Sequence, residues 1–256
     1  MKQKLTVVKV GGKIVETPHS LELLLQGFAR LEGPKVLVHG GGRTATDMAT
    51  RLGIETRMVE GRRITDEAML RVVSMVYGGL VNKNLVARLQ AMGINAIGLT
   101  GADMDVIRSH KRPLKDGIDF GFVGDVDRAD GQRLRSLIDS GIVPVMAPLT
   151  HDGKGNILNT NADTIAAETA KALAPYYDVT LTYCFEKKGV LARPDDDDSV
   201  IPTITRADFA RYVADGTIAG GMIPKIENAL DAISQGVARV VITGRVGSDT
   251  RTVITE

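Results

Sequence analysis

Apolar positions along this chain follow two periods. Short β-branched runs at residues 5–10, 36–39, 96–99, 142–146, 179–183 and 239–243 read as buried strands. Between them apolar residues recur at helical spacing, first at Leu21, Leu23, Leu24, Leu25, Phe28 and Leu31, later at Ile226, Ala229, Leu230 and Ile233. Further helices are expected over residues 44–52, 66–77, 81–92 and 131–140, with Thr65 able to cap the second of these. Another is expected after Asn161, a good N-cap, where Ile165, Ala166, Thr169, Ala170 and Leu173 share one face. Residues 106–109 and 121–126 read as short β segments, 56–65 as a strand pair or loop, 151–155 as a hairpin turn, and the tail as an edge segment. Strands alternating with helices throughout predict an α/β fold with a mainly parallel sheet covered on both faces.

The helix over 66–77 carries more apolar residues than one stripe needs: Met69, Leu70, Val72, Val73, Met75 and Val76. Such a helix is either central or part of a subunit interface, and an interface is the reading preferred here. No repeat, low-complexity tract or linker divides the 256 residues, so a single domain is expected. Composition narrows the function classes. Net charge is +1 from 32 basic and 31 acidic residues, which argues against a nucleic-acid or membrane-surface protein. A single cysteine excludes an internal disulfide and fits a reducing compartment. With no apolar run near the roughly 20 residues of a membrane span and no signal-peptide pattern, a cytoplasmic location is expected.

Candidate chemistry lies where polar residues interrupt these patterns. Lys9 stands near the end of an apolar strand, either as a snorkelling edge lysine or aimed into a cleft at the strand's carboxyl end. Gly11-Gly12 and Gly40-Gly41-Gly42 follow strands and precede helices, so their backbone N–H groups can meet an anion. Neither is a Walker A loop or a dinucleotide fingerprint. Of Arg62 and Arg63, one can clamp a substrate carboxylate bidentately, although paired arginines are usually just solvated. Asn159, Asn161 and Asp163 cluster at a helix N-terminus that needs only one Asx to cap it. Lys225, in the first turn of the helix opened by Gly220-Gly221-Met222, opposes the helix dipole by roughly 0.3–1 kcal/mol unless an anion compensates it. The acidic run at residues 195–198 reads as a solvated loop tip, and Asp125, Asp127 and Asp130 lack calcium-loop spacing. No histidine–acid pair or zinc cluster emerges, so no protein metal site is assigned. Two lysines, glycine-turn donors, an arginine and an Asn/Asp cluster suit a nucleotide's phosphates held against a carboxylate. Phosphoryl transfer to a carboxylate needs no general base, because the nucleophile is already ionised at neutral pH.

In order and spacing, Lys9-Val10-Gly11-Gly12, His39-Gly40-Gly41-Gly42, Gly61-Arg62-Arg63-Ile64-Thr65, Gly121-Phe122-Val123-Gly124-Asp125-Val126, Asn159-Thr160-Asn161-Ala162-Asp163 and Gly220-Gly221-Met222-Ile223-Pro224-Lys225 resemble the amino acid kinase family. The six motifs span nearly the whole chain and are similar to its branch acting on N-acylglutamates. This resemblance implies a three-layer αβα sandwich, with an acyl-amino-acid lobe over about residues 1–175 and a nucleotide lobe over about 176–256. It implies ATP-dependent phosphorylation of the γ-carboxylate of N-acetyl-L-glutamate, or a related N-acyl-L-glutamate, in arginine biosynthesis. Lys9 and Lys225 would contact the phosphoryl group and Asp163 would orient them. Gly40, Gly41, Gly42, Arg63, Asn159 and Asn161 would bind the acyl-glutamate. Gly11, Gly12, Glu186, Gly189, Val190, Leu191, Gly220, Gly221 and Met222 would meet the nucleotide. Mg2+ would ride on the ATP phosphates.

Two segments depart from the family pattern. Phe185-Glu186-Lys187-Lys188-Gly189 replaces the usual Ser/Thr-Asp-Val-x-Gly, and Gly247-Ser248-Asp249-Thr250-Arg251 replaces a terminal Gly-Thr-x-Ile. Arginine-inhibited members carry an extra N-terminal helix, whereas strand one starts here near residue 5, so a homodimer insensitive to arginine is expected. Another family enzyme such as a carbamate kinase, or a catalytically silent regulator on the same fold, are the alternative readings.

Overall fold

Strand β1 (Lys4–Val10) runs through the middle of the molecule, flanked in parallel by β2 (Lys35–His39) on one side and β11 (Asp178–Cys184) on the other. In this computed structural model residues 1–59, 61–114 and 116–256 are described; Glu60, within the expected 56–65 strand pair, lies outside them. Between β1 and β2 come α1 (Gly12–Glu16) and α2 (Pro18–Arg30). After β2 follow α3 (Gly42–Arg51), the hairpin of β3 (Met58–Val59) and β4 (Arg62–Arg63), α4 (Glu67–Val73), α5 (Asn82–Ala91) and β5 (Ala96–Leu99). Next are β6 (Ile107–Lys111), β7 (Gly124–Ala129), α6 (Gly131–Asp139), β8 (Val143–Met146), β9 (Leu149–His151), β10 (Ile157–Asn159) and α7 (Ala162–Leu173). Beyond β11 the chain adds β12 (Thr203–Ile204), α8 (Arg206–Ala214), α9 (Met222–Ser234), β13 (Arg239–Thr243) and β14 (Thr252–Ile254).

The main sheet has eight strands in the order β12-β14-β13-β11-β1-β2-β8-β5, and only the β13–β14 pair is antiparallel. Side chains of a strand alternate between faces. Leu5 and Val7 therefore join the core beneath α6, α7 and α9, while Val8 and Val10 join the core beneath α2, α3, α4 and α5. The result is the three-layer αβα sandwich. Lys9 falls on the α7 face by the same alternation, and this brings it to the start of α7.

A smaller four-stranded sheet, β10-β9-β6-β7, stands beside the carboxyl ends of the main sheet's strands. It is stitched by Asp105, which Arg108, Arg128, Arg133 and His151 all approach. Partial burial pushes this carboxyl up, but hydrogen bonds from Arg128 and His151 with the charges of Arg128 and Arg108 outweigh it and bring it down to about 2.

Several sequence expectations change in detail. Helices α4 and α5 form one continuous helix through a π-helical segment, Ser74–Val81, where two separate stretches were expected. The wider turn absorbs Gly78 and Gly79 without breaking the backbone. Its cap is Asp66, which accepts from the Met69 N–H, while Thr65 donates to the Arg63 carbonyl instead. Of its large apolar residues Met75 and Leu80 are the exposed ones, at 55% and 46%. Strand β14 is not an edge: β12 pairs with its outer side. Helix α8, absent from the sequence reading, opens with a capping box between Thr205 and Asp208. The acidic run is a loop tip in which Asp196, Asp197 and Asp198 pair with Arg193, Lys187 and Lys188.

Candidate functional site

The carboxyl ends of the parallel strands β1, β2 and β11 open on one side of the sheet, where open α/β folds bind ligands. Two glycine turns leave it side by side. A Cβ on Gly12 would lie 3.8 Å from the Gly41 and Gly42 nitrogens, and one on Gly41 would press to 3.1 Å from the Tyr77 ring. At Gly41 that approach leaves no room for a side chain without displacing the ring. At the N-termini of α1 and α3, the N–H groups of Gly12 and Gly42 have no intrahelical acceptor and are free to meet an anion. Glu16 ties the two helices together by accepting from the Thr44 N–H and hydroxyl.

His39 underlies the second turn. It is fully buried, donates from Nδ1 to the Gly40 carbonyl and accepts at Nε2 from Asn82, whose amide also donates to the Val145 carbonyl. Burial lowers the imidazole from its ordinary 6.5 to about 4, against the Gly40 hydrogen bond, which raises it. Between those values the unfolded chain binds a proton that the folded one refuses, so stability falls as pH drops from about 6.5 to about 4. Denaturant unfolding across that range is expected to show this loss, and His39→Gln to reduce it; equal slopes in both proteins would contradict a buried neutral His39.

A first cleft, with about 670 Å³ of empty space, is lined by Gly40, Gly41, Gly42, Arg63, Asn159 and Asn161. Arg63 is 9% exposed, and its guanidinium donates to the Gly42 carbonyl (2.8 Å) and the Thr46 hydroxyl (2.9 Å). Among the described residues no carboxylate lies within ion-pairing distance of it. A buried guanidinium left without an anion is costly, and the cleft is where one can be supplied. Asn159 donates from Nδ2 to the Thr65 hydroxyl, and Asn161 caps α7 by accepting from the Asp163 and Thr164 N–H groups. Tyr77, from the π-helical segment, also lines the cleft. Burial raises its phenol, opposed by the adjacent Arg63, so it stays protonated at neutral pH. Arg62, Met58 and Thr160 also line it.

Lys9, 7% exposed, lies beyond the Asn161 end of this cleft, with Nζ 2.8 Å from Asp163 Oδ1. Lys225, from the first turn of α9, approaches the same point; the two ammonium groups lie 4.9 and 4.0 Å from the centroid of the Phe185 ring. A second cleft then opens, lined by Gly11, Gly12, Phe185, Glu186, Gly189, Met222 and Lys225. Glu186 pairs across its rim with Lys13 at 2.6 Å. Of the other expected nucleotide residues, Val190 is packed in the core, Leu191 is half-buried, and Gly220 and Gly221 are exposed at the entry to α9. Lys13, Phe185 and Tyr77 are residues sequence reasoning missed; among them only Phe185 carried a signal, as an aromatic where the resembling family has a hydroxyl.

Comparison with known proteins sets this geometry in a lineage. The family model described as "Amino acid kinase family" matches residues 4–244. The chain is 68% identical over 243 residues to an acetylglutamate kinase of Bacteroides thetaiotaomicron, covering 95% of this chain and 94% of that protein. Among solved structures, the smu.665 protein of Streptococcus mutans superposes with a TM-score of 0.78 at 28% identity, over 98% of both chains. Carbamate kinase from Giardia lamblia, 15% identical over 99% of both chains, shares the fold at a TM-score of 0.69.

Proposed function

The chain belongs to the amino acid kinase family, and from that premise we propose that it transfers the γ-phosphoryl group of ATP to the γ-carboxylate of N-acetyl-L-glutamate, an early step of arginine synthesis. Relatives sharing 63–68% identity over nearly the whole chain are acetylglutamate kinases, which favours this reaction over a carbamate kinase. The observation that carries the reading is the pair of lysines converging between the two clefts.

Arg63 and Asn159 hold the glutamate moiety in the first cleft, with Gly40, Gly41, Gly42 and Asn161 around it. The nucleotide lies toward the second cleft, over Gly11, Gly12, Glu186, Gly189 and Met222, with Val190 and Leu191 following Gly189 and with Gly220 and Gly221 at the entry to α9. This divides the domain into an acyl-amino-acid lobe, about residues 1–175, and a nucleotide lobe, about 176–256. The γ-carboxylate attacks the γ-phosphorus as ADP leaves, giving an acyl phosphate. Lys9 and Lys225 neutralise charge on the phosphoryl oxygens, and Asp163 fixes Lys9 by its 2.8 Å ion pair. Among the described residues no group of three or more His, Cys, Asp or Glu is placed to hold a metal. Mg2+ would enter on the ATP phosphates and there supply further charge neutralisation.

Met75 and Leu80, exposed on the π-helical segment, support a homodimer built through that helix. Sedimentation of wild type should give a dimer, and Leu80→Glu should shift it toward monomer. A single buried cysteine and the lack of a helix long and apolar enough to cross a membrane among the described residues accord with a cytoplasmic enzyme.

The test is ATP-dependent acyl-phosphate formation trapped as a hydroxamate, comparing N-acetyl-L-glutamate, N-succinyl-L-glutamate and free L-glutamate. Turnover on an acylated glutamate and not on the free amino acid is expected. Nucleotide binding with no turnover on any of them would overturn the reading in favour of a silent regulator.

A further inference from the structure

Phe185 lies where the two lysines meet the second cleft, in a segment that departs from the usual family pattern. Its backbone is held by a hydrogen bond from its N–H to the Thr243 carbonyl (2.9 Å), and its ring stacks on Tyr183, centroids 5.9 Å apart and planes 6° from parallel. Tyr183 is itself buried, with its hydroxyl 3.5 Å from the Asp163 carbonyl. The ring is thus held by its backbone and by Tyr183, and Lys9 and Lys225 approach it at 4.9 and 4.0 Å.

The two ammonium groups are not equivalent. Lys9 has Asp163 as its counter-ion. For Lys225 no carboxylate lies within 4 Å among the described residues, and its ammonium sits over the Phe185 ring. An ammonium on four rotatable carbons, beside a second cation and a helix N-terminus, would otherwise disperse into solvent. The negative face of an aromatic ring attracts such a cation without neutralising its charge for good, as a carboxylate would.

We propose that Phe185 is a positioning residue for phosphoryl transfer: its ring seats Lys9 and Lys225 around one point before the phosphates arrive and releases them to the phosphoryl oxygens. This rests on the kinase reading above. A serine or threonine at this position would lack the π face. The ring makes no contact with the acyl-glutamate cleft, so its removal acts on kcat and nucleotide affinity, not on recognition of the acceptor.

The experiment replaces Phe185 by its 4-fluoro, 3,5-difluoro and 3,4,5-trifluoro analogues and by leucine in the full chain, with thermal melting as the check on folding. Fluorination weakens the ring's attraction for cations stepwise at nearly constant shape. The expected result is a graded fall in kcat, ending about three- to thirtyfold below wild type in Phe185→Leu, with KM for N-acetyl-L-glutamate changed less than about twofold. Phe185→Tyr should retain activity, because it keeps the π face. A packing role alone would leave the fluorinated series flat, and a flat series overturns the proposal. Independently of turnover, the ε-methylene protons of Lys225 should be shifted upfield by the ring current in the resting enzyme and lose that shift in Phe185→Leu. Random-coil positions in wild type would overturn the seating. If wild type itself fails to turn over any acyl-glutamate, the kinase reading fails and the role in transfer falls with it, while the methylene shifts still judge the geometry.

Discussion

Replacing Lys9 with methionine is expected to lower kcat about 10³-fold while changing KM for either substrate only a few-fold. Methionine keeps most of the stem's volume and removes the charge, so the core around Val7 and Val8 survives. The size of the effect follows from where the ammonium sits. It is 7% exposed, at the end of a strand held on both sides, and anchored 2.8 Å from Asp163, so it needs little reorganisation when charge develops on the transferring group. A lysine that only snorkelled along the sheet would lose less than tenfold. Single-turnover kinetics separate the cases, since they isolate the chemical step from product release.

Arg63→Lys is expected to raise KM for N-acetyl-L-glutamate about 50-fold and to leave KM for ATP within about twofold. An ammonium retains the charge but not the planar fork that reaches Gly42, Thr46 and a ligand carboxylate together. With Arg63 buried and without a carboxylate partner among the described residues, much of the acceptor's binding energy is expected to flow through this one side chain. Initial-rate measurements with each substrate varied in turn check it. An equal rise in both KM values would indicate collapse of the glycine turn and not loss of a carboxylate clamp.

How far the sequence carried these conclusions depends on how local each cause is. Strands β1, β2, β8, β11 and β13 were legible because continuous apolar runs bounded by turns need no tertiary context. Lys9, Asp163 and Lys225 stood out because each breaks a local rule: a charge in a core strand, an excess of Asx beyond one cap, a cation at the wrong helix end. Their convergence was not derivable locally; it depends on β1 and β11 being neighbours and on α9 arriving from the far end of the chain. The Thr205–Asp208 capping box is a local signal for α8, but none of that helix is fully buried, so its apolar pattern is weak. The continuous helix through Ser74–Val81 was hidden by Gly78-Gly79, which normally signal a break; packing of Tyr77 against Gly41 holds the wider turn there. Strand β14 looked like an edge because its outer partner, β12, is two residues long and gives no period of its own. Phe185 is the clearest case of a residue whose meaning is wholly tertiary: in sequence it is one aromatic beside a charged loop, and in the fold it faces both lysines.

The central claim is that acceptor and nucleotide meet in front of Lys9 and Lys225. The most direct test is a structure of the protein with N-acetyl-L-glutamate, Mg2+ and a non-hydrolysable ATP analogue. The account predicts the acyl-glutamate between Gly40–Gly42 and Arg63, its γ-carboxylate facing the terminal phosphate, and both lysine ammonium groups on that phosphate's oxygens. A terminal phosphate lying away from Lys9 and Lys225, or an acyl-glutamate bound outside the Arg63 cleft, would contradict it.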